Sequence, residues 1–324
     1  MNILFCDEGY SEARRRLAAL LPDQHISACA PGRVIERLEG VDIIVPYLAV
    51  IDDRIIRAGS FGLVQQFGVG LETVDVDAAT RAGVWVARIP SAGTGNAESV
   101  AEHAMLLMLA LARRLPQVPA HIRARHLGEP AGIALAGKTA CIVGLGSAGG
   151  ALAARLAAMG MRLVAARKNL QGRVLAGVPL ERMHDLEHLA EAVRDADFVI
   201  ITARYEPESL HLFDRSALQA MKPGAFFVNV ARGGFVDKTA LGDALRSGHI
   251  GGAGLDVIEG EPIDPNDTLL GLNVVLTPHV AGVTDLSYEG IAREFAQNVL
   301  RHARGEPPAH AVNTPAQPRA ARPR

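Results

Sequence analysis

Three short segments in the second half of the chain carry side chains that can bind an anion and move a proton. Arg232 lies in the segment NVARGGFVD, Glu259 and Glu261 lie in LDVIEGEP, and His279 lies in TPHVAG. Each segment contains or follows a short apolar run, which predicts a buried parallel strand, and ligands bind where such strands end. A guanidinium can bind a carboxylate and polarise a carbonyl, an imidazole can exchange a proton with an alkoxide, and a nearby acid favours the protonated imidazole. These side chains together suit hydride transfer to a 2-oxo acid.

A glycine motif earlier in the same half favours a functional interpretation of these residues, because a strand-end arginine or histidine is structural more often than catalytic. Gly144, Gly146 and Gly149 have the spacing G-x-G-x-x-G and follow the apolar run Thr139–Val143. A helix-forming segment, Ala151–Met159, and a second apolar run, Arg162–Ala166, come next. In this β-α-β context glycines let a pyrophosphate approach a helix N-terminus. The motif predicts a dinucleotide site; the alternative is a glycine loop that packs a helix on a sheet.

The end of the second apolar run indicates which dinucleotide would bind. An NAD site usually has an acidic residue there, about 20 residues after the glycines, to hold the ribose 2′-hydroxyl. In this chain Arg167 and Lys168 stand at that place. A carboxylate would repel a 2′-phosphate, whereas a guanidinium can pair with it through two hydrogen bonds. The sequence therefore favours NADP(H), with NAD(H) as the other cofactor; the alternative is a solvated arginine without a ligand.

The composition argues against several other classes of protein. The chain has 324 residues and a net charge of −2 without a basic run, which argues against a nucleic-acid surface. No apolar run reaches membrane length, and the N-terminus lacks the pattern of a signal peptide. Cys6, Cys29 and Cys141 lack ligand spacing, so no metal site is expected. These cysteines suit a core in a reducing, cytoplasmic compartment.

Alternating apolar runs and helix-forming segments predict two α/β domains. The first ends near residue 95, and residues 96–115 form a long helix whose apolar second half must be buried. His103 lies in this helix, where a packed or hydrogen-bonded role is expected rather than a catalytic one. Residues 116–136 are irregular and either wrap a partner subunit or act as a linker. Residues 288–304 form a final amphipathic helix.

The chain resembles the D-isomer-specific 2-hydroxyacid dehydrogenase family. The resemblance rests on GLGSAG at the glycines, on the three segments above, and on GVGLETVD and SVAEH in the first third of the chain. It implies an α/β fold in which a Rossmann-type cofactor domain is inserted into a flavodoxin-like substrate domain. It also implies a homodimer built largely on the cofactor domains and residues 116–136. The expected bounds are residues 1–98 and 286–314 for the substrate domain, 99–285 for the cofactor domain and 315–324 for a disordered tail.

The resemblance also implies roles for individual residues. It selects Glu261 rather than Glu259, so that Arg232, Glu261 and His279 form the catalytic trio. Asp256 matches the residue that binds the nicotinamide carboxamide. The other expected cofactor contacts are Gly144, Gly146, Ser147, Ala148, Gly149, Arg167, Lys168, Thr202, Arg204, Ala231, His279 and Gly282. The expected substrate contacts are Arg232, His279, Tyr47, Leu48, Val69 and Gly70, of which Val69 and Gly70 match backbone amides that hold the substrate carboxylate.

The chain departs from the family pattern in several places. Many members have an acid at the position of Arg167, and members with a basic residue there tend to use NADP. Many also have a His-x-Pro loop where this chain has Thr202-Ala203-Arg204, so Arg204 is expected to help hold the 2′-phosphate or to stack on adenine. A C-terminal regulatory domain is missing, which would make the larger phosphoglycerate dehydrogenases a poor match. Formate dehydrogenases are disfavoured because they have Gln in place of Glu261.

Three functions are consistent with these residues. The first is an NADPH-preferring reductase of a small 2-oxo acid, such as glyoxylate or hydroxypyruvate. The second keeps the enzyme but changes the substrate to phosphite or another small oxyanion. The third is a non-enzymatic, cofactor-sensing binding protein of the same fold, like the family's transcriptional corepressors, which keep the catalytic trio.

Overall fold

The computed structural model describes residues 1–170 and 178–320 and divides the chain into two compact units. The first unit contains Met1–Asn96 and the described residues from Thr284 onward, and the second contains Ala97–Val283. The two points at which the chain passes between the units lie two residues before those that the resemblance implied, and the first unit continues past residue 314. Among the described residues, every helix is too short or too polar to span a bilayer.

The first unit begins with alternating strands and helices, and its strands are short apolar runs with side chains on both faces. Its elements, before the chain enters the second unit, are β1 (Asn2–Phe5), α1 (Ser11–Leu20), β2 (His25–Ala28), β3 (Ile43–Val45), α2 (Asp53–Ala58), β4 (Leu63–Gln65), α3 (Val76–Arg81) and β5 (Trp85–Ala87). All five strands are parallel, in the order β2-β1-β3-β4-β5. This is the flavodoxin-like order, in which the direction of winding reverses between β1 and β3.

The second unit contains a larger parallel sheet. Its elements are α4 (Asn96–Ala112), α5 (Val118–Arg123), β6 (Thr139–Val143), α6 (Ser147–Ala158), β7 (Arg162–Ala166), β8 (Leu180–His184), α7 (Leu189–Val193), β9 (Phe198–Ile201), α8 (Arg215–Ala220), β10 (Ala225–Asn229), α9 (Lys238–Arg246), β11 (Ile250–Leu255) and β12 (Val274–Leu276). The described strands lie in the order β12-β11-β10-β9-β6-β7-β8, and winding reverses between β6 and β9. This is the Rossmann order, so both halves of the expected fold class are confirmed.

The chain then returns to the first unit with α10 (Asp285–Ala303). Ile291, Phe295 and Val299 are buried on one face of this helix, in the same apolar cluster as residues of β1 and α1. Asn298 joins the helix to the sheet, because its amide donates to Gln65 Oε1 at 2.7 Å. The last helix is therefore part of the first core although the whole second unit separates it from β5 in sequence.

The segment after α10 differs from the expectation of a disordered tail from residue 315. Arg319 N–H donates to Gly83 O at 2.7 Å, and its guanidinium donates to Gly59 O at 2.9 Å and Phe61 O at 3.2 Å. Pro315 is buried. A composition rich in Pro, Ala and Arg predicts disorder because it offers little apolar surface. In this segment Arg319 is held by hydrogen bonds to main-chain carbonyls of the first unit; residues 321–324 lie outside the described part.

Two strands have no apolar run that could predict them. The sequence of β2 is HISA and that of β8 is LERMH, and both strands lie at an edge of their sheet. An edge strand pairs on one side and stays half exposed, so its side chains need not be apolar. The start of β11 could not be predicted from an apolar run for a different reason. Gly252 and Gly254 lie against Leu111 and Leu107 of α4, where a larger side chain would collide.

Candidate active site

The glycine turn lies at the switch point of the second sheet. Gly144 follows β6 with φ of +96°, and a side chain there would overlap the backbone of Ala203, which follows β9. A side chain at Gly149 would overlap Gly144 O and lie 2.7 Å from Thr202 Oγ1. Thr202 Oγ1 donates to Gly144 O at 2.6 Å, so the loops after β6 and β9 are locked together. These two glycines are required by the packing of the protein itself.

Gly146 has a different environment, because a side chain there would meet no atom within 4 Å. Helix α6 begins at Ser147, immediately after it. The sequence predicts a helix from residue 151, and α6 starts four residues earlier because the close packing at Gly149 overrides its weak helix propensity. The N–H groups of the first turn, including Ser147 and Ala148, have no acceptor within the helix. Open space beside these N–H groups fits a dinucleotide pyrophosphate.

Basic residues and one acid meet after β7 and β9. Arg167 follows β7, and its N–H donates to His184 O at 3.0 Å, which continues the pairing with β8. Lys168 Nζ pairs with Glu206 Oε2 at 2.5 Å, and both groups are exposed. Lys168, and more weakly Arg204, lower the pKa of Glu206 below its ordinary value, and Glu206 raises the pKa of Lys168. Glu206 is a residue that the sequence analysis missed, because no motif marks an acid at that place.

His279 and Glu261 form a hydrogen-bonded pair. His279 Nδ1 lies 2.8 Å from Glu261 Oε2, and Glu261 Oε1 accepts the N–H of Ile258 at 3.0 Å. His279 has φ of +55°, a conformation that L residues rarely adopt, and its N–H donates to Asp256 O at 2.8 Å. The pairing with a carboxylate places the Nδ1 proton on the side of Glu261. Nε2 is then the nitrogen that can exchange a proton with a substrate.

Arg232 follows β10 in a turn that Asn229 holds. The buried Asn229 amide donates to Arg232 O at 2.8 Å, and Asn229 Oδ1 accepts the N–H of Ala231 at 3.0 Å. A side chain at Gly233 would overlap the backbone of Ile258, so the turn carrying Arg232 touches the loop that carries Glu261. Within the second unit, the structure therefore brings two of the three predicted catalytic segments into contact, and the His279–Glu261 bond adds the third.

Asp256 supports the loop that carries His279. It is 2% exposed; Oδ1 accepts Thr277 Oγ1–H at 2.6 Å and Val280 N–H at 2.8 Å, and Oδ2 accepts Ala281 N–H at 2.9 Å. His103 Nε2 lies 2.8 Å from Thr277 Oγ1. Because that hydroxyl donates to Asp256, it accepts from His103. The expectation of a hydrogen-bonded His103 is confirmed, and Gly282 directly follows the loop that Asp256 holds.

The expected substrate contacts of the first unit lie at the carboxyl ends of β3 and β4. Tyr47 and Leu48 follow β3, next to the switch point, and Val69 and Gly70 follow β4. The backbone N–H groups of Leu48, Val69 and Gly70 have no hydrogen-bond acceptor among the described residues. The Gln66 side chain hydrogen-bonds to the backbone of Tyr47, Phe67 and Gly70. No sequence motif marks Gln66 as part of this site. Burial raises the pKa of the Tyr47 hydroxyl well above its ordinary value.

The second unit also contains a cluster of possible metal ligands, which lies in and after α5. His121 Nδ1 and His126 Nδ1 lie 3.3 Å and 3.6 Å from Glu129 Oε2. His126 and Glu129 are exposed, and exposed acidic groups are common without an ion. The cluster therefore supplies no argument for a metal.

Comparisons with known proteins agree with this geometry. Residues 105–281 match the family model described as D-isomer specific 2-hydroxyacid dehydrogenase, NAD binding domain. The glyoxylate reductase of Korarchaeum cryptofilum is 35% identical over 294 residues, which cover 86% of this chain and 85% of that protein. The crystal structure of the TT0316 protein from Thermus thermophilus is 31% identical with a TM-score of 0.82, over 96% of this chain and 100% of that chain.

A third relative is longer than this chain. The D-3-phosphoglycerate dehydrogenase of Mycobacterium leprae is 38% identical over 275 residues, which cover 84% of this chain and 51% of that protein. The chain therefore spans about half the length of that relative. The expectation that the larger phosphoglycerate dehydrogenases would match poorly is wrong for the aligned half.

Proposed function

Because the chain belongs to the D-isomer-specific 2-hydroxyacid dehydrogenase family, we propose that it reduces a small 2-oxo acid to a D-2-hydroxy acid with NADPH and catalyses the reverse oxidation. The observation that carries the proposal is the 2.8 Å bond between His279 Nδ1 and Glu261 Oε2, in the unit that also holds the glycine turn and Arg232. The bound nicotinamide supplies or accepts the hydride. The name of the Korarchaeum relative supports glyoxylate as the first acid to test.

His279 has the role of acid and base. In the direction of reduction, the new C–H bond forms at C2, the carbonyl π electrons move to oxygen, and the proton of His279 Nε2 forms the new O–H bond. Glu261 holds the ring through Nδ1 and stabilises the imidazolium before this transfer. The neutral imidazole then takes a proton from solvent. In the reverse direction the same nitrogen removes the hydroxyl proton.

Arg232 binds the substrate through its guanidinium, which can pair with the carboxylate and draw electron density from the carbonyl. The N–H groups of Val69 and Gly70 are the donors that we assign to the carboxylate from the first unit. We also assign Asp256 to the nicotinamide carboxamide, because its Oδ2 accepts one hydrogen bond from the described residues and can accept another. The hydrogen bonds that Asp256 makes in the structure hold the loop of His279.

NADP(H) is the proposed cofactor because Arg167, Lys168 and Arg204 supply positive charge at the end of β7 and β9, where the ribose 2′-substituent is expected. Glu206 offsets part of this charge through its pair with Lys168. A 2′-phosphate that approached this edge would compete with Glu206 for the lysine. We assign the preference for NADPH over NADH to Arg167, with Arg204 as its helper.

The test is cofactor oxidation with a panel of 2-oxo acids, with NADPH and NADH run side by side. Fast turnover with NADPH on glyoxylate or hydroxypyruvate is the expected result. Turnover with NADH alone would keep the enzyme and overturn the role of Arg167. Tight cofactor binding without turnover on any 2-oxo acid would overturn the proposal, and phosphite would then be tested as the reductant before a purely cofactor-sensing role is assigned.

We also propose that the protein is a homodimer that forms through the segment around α5. Large apolar side chains are exposed there: Leu127 is 97% exposed and Ile122 is 70% exposed, with Leu115 and Ile133 also uncovered. Such a concentration of exposed apolar surface indicates a protein interface. Light scattering should show a dimer for the wild type and for Leu210→Glu, an exposed leucine outside this segment, and a monomer for Ile122→Glu with Leu127→Glu. A dimer in the double variant would contradict this interface.

A further inference from the structure

The side chain of Gln66 is fully used in hydrogen bonds. It lies directly after β4 and is 6% exposed. Oε1 accepts the N–H groups of Tyr47 and Phe67, each at 3.1 Å. Nε2 donates to Tyr47 O at 3.0 Å and to Gly70 O at 2.6 Å. A primary amide has two donor hydrogens and two acceptor lone pairs, so every one of them has a partner.

One end of this arrangement fixes the turn after β3. Ala49 N–H donates to Pro46 O at 2.9 Å, and Tyr47, inside the turn, has φ of +51°. This left-handed conformation is disfavoured for an L residue. Gln66 binds both backbone polar atoms of Tyr47, so the two peptide planes on either side of the residue are held. The direction of the next N–H group, that of Leu48, follows from these planes.

The other end fixes the turn after β4. Gln66 binds Phe67 N–H and Gly70 O, the two ends of a short loop in which Gly68 has φ of +148°. The N–H groups of Val69 and Gly70 lie in this loop and have no acceptor among the described residues. One buried amide therefore connects two loops from neighbouring strands; the first presents the Leu48 N–H and the second those of Val69 and Gly70, without a protein acceptor in the described part of the chain.

We propose that Gln66 is a positioning residue that sets the distance and direction between these two groups of N–H donors, and that it thereby determines affinity for the substrate carboxylate. The proposal rests on the proposed function, which assigns Val69 and Gly70 to that carboxylate. Small changes in donor geometry reduce binding strongly, because hydrogen bonds weaken as they lengthen and bend. No other natural side chain of this size offers the same two donors and two acceptors.

The first test compares Gln66→Leu with Gln65→Leu. Gln65 is the matched control, because it is buried, precedes Gln66, and its side chain bonds to Asn298 and Gln66 O rather than to Tyr47 or Gly70. We expect Gln66→Leu to raise KM for the 2-oxo acid roughly tenfold or more, with a smaller change in kcat and an unchanged Kd for NADPH. Gln65→Leu should lower Tm by a similar amount and leave KM unchanged. Equal KM values in the two variants would overturn the proposal.

A second variant separates geometry from general loss of packing. In Gln66→Glu a carboxylate replaces the Nε2 donor and faces Tyr47 O and Gly70 O, so the charged form repels both carbonyls. Protonation of this carboxylate restores one hydrogen-bond donor. We expect the ratio of KM in Gln66→Glu to KM in the wild type to fall as the pH is lowered, whereas the ratio for Gln66→Leu stays constant. A constant ratio for both variants would overturn the role of the donor pair.

Hydrogen exchange distinguishes failure of this inference from failure of the proposed function, since it needs no substrate. If Gln66 positions the loops, the backbone amides of residues 47–50 and 67–71 exchange faster in Gln66→Leu than in Gln65→Leu. If the wild type turns over no 2-oxo acid, the proposed function fails, and faster exchange would still support the positioning of the loops. Equal exchange in both variants would overturn the positioning role whatever the enzyme assay shows.

Discussion

The two units of this chain are both doubly wound parallel sheets, yet their switch points carry different chemistry. In the second unit, the loop after β6 has two glycines, Gly144 and Gly146, and leads into the N-terminus of a twelve-residue helix whose first turn contains Gly149. In the first unit, the loop after β1 has Asp7 and Glu8, and α1 begins after Tyr10 without a side-chain cap. The acids would repel a pyrophosphate, and Tyr10 stacks on Tyr47 with ring centroids 3.8 Å apart.

The difference shows that sheet topology supplies a crevice and that local residues decide what it can bind. The second unit combines a glycine turn with charged side chains at the ends of β10, β11 and β12. The first unit presents backbone N–H groups that Gln66 holds in place. A fold assignment alone would have offered both switch points as equal candidates for the dinucleotide.

The largest expected effect removes the proton donor of the second unit. We expect His279→Ala to lower kcat by about 10²–10⁴, because general acid–base catalysis contributes on that order, and to change Kd for NADPH far less. His188→Ala is the control, since this exposed imidazole also pairs with a carboxylate, that of Asp185, but lies outside the proposed catalytic trio. Steady-state kinetics and cofactor titration measure both quantities. A kcat close to that of the wild type would place the proton donor elsewhere.

A second pair of variants separates cofactor approach from packing at the glycine turn. Gly146→Ala should fold with an unchanged Tm, because its φ of −83° suits alanine and the new methyl group meets no protein atom. It should weaken NADPH binding about tenfold by occupying the space for the pyrophosphate. Gly149→Ala should in addition lower stability by about 1–3 kcal/mol, since its methyl group would overlap Gly144 O.

The control for this pair lies in the first unit. Gly9→Ala would bring a methyl group near the flexible Asp7 carboxylate, and it should leave cofactor binding unchanged. Calorimetric titration with NADPH and thermal unfolding would be measured for all three variants. Weaker NADPH binding in Gly9→Ala, or unchanged binding in Gly146→Ala, would break the contrast between the two switch points.

The choice between NADPH and NADH should respond to charge at the end of β7. Arg167→Asp should shift the ratio of kcat/KM for NADPH over NADH by roughly 10- to 100-fold towards NADH, since a hydrogen bond to a charged group contributes about 1.5–3 kcal/mol. Glu206→Gln should shift the same ratio a few-fold in the opposite direction, because it releases Lys168. Unchanged ratios in both variants would separate these residues from the 2′-substituent.

The smallest expected effect concerns stability of the first unit. Burial lowers the pKa of His302 below its ordinary value of 6.5, and His302 Nε2 is buried without a hydrogen-bond partner among the described residues. Below pH 6.5 the unfolded chain binds a proton that the folded chain does not, so the free energy of unfolding falls as the pH is lowered. Each unit of pKa depression corresponds to about 1.4 kcal/mol.

The measurement is urea unfolding of the wild type and His302→Gln at several pH values below 6.5. The variant lacks this titration, so its free energy of unfolding should fall less with decreasing pH. Parallel curves for the two proteins would show that His302 does not carry the effect. Because His302 lies in α10, the result would also report on the first unit rather than on the glycine turn of the second.

The residue types at the strand ends can be recognised in the amino-acid sequence. Gly144, Gly146 and Gly149 have a spacing with a physical reason, and Arg232 and His279 follow apolar runs that become β10 and β12. The central strands could be predicted because both faces of a parallel sheet are buried and their sequences are continuously apolar. Boundaries were less accurate where packing overrides propensity, as in the early start of α6.

Residues that act through polar contacts over long sequence distances could not be found in this way. Glu206 meets Lys168 across 38 residues, and Gln66 meets Tyr47 across 19. Asp256 resembles a cofactor residue in its motif, yet its observed bonds hold the loop of His279. Edge strands such as β2 and β8 escape prediction because half of their surface stays in water.

The sequence by itself determined the fold class, the dinucleotide motif and the family, since each depends on local spacing and on runs of apolar residues. Tertiary structure alone decided which polar groups satisfy one another: His279 with Glu261, Thr202 with Gly144, and the Gln66 amide with two separate loops. The physical reason is that a buried hydrogen-bonding group must find a partner wherever the folded chain brings one. That partner is set by strand order and loop contact, which no one-dimensional pattern records.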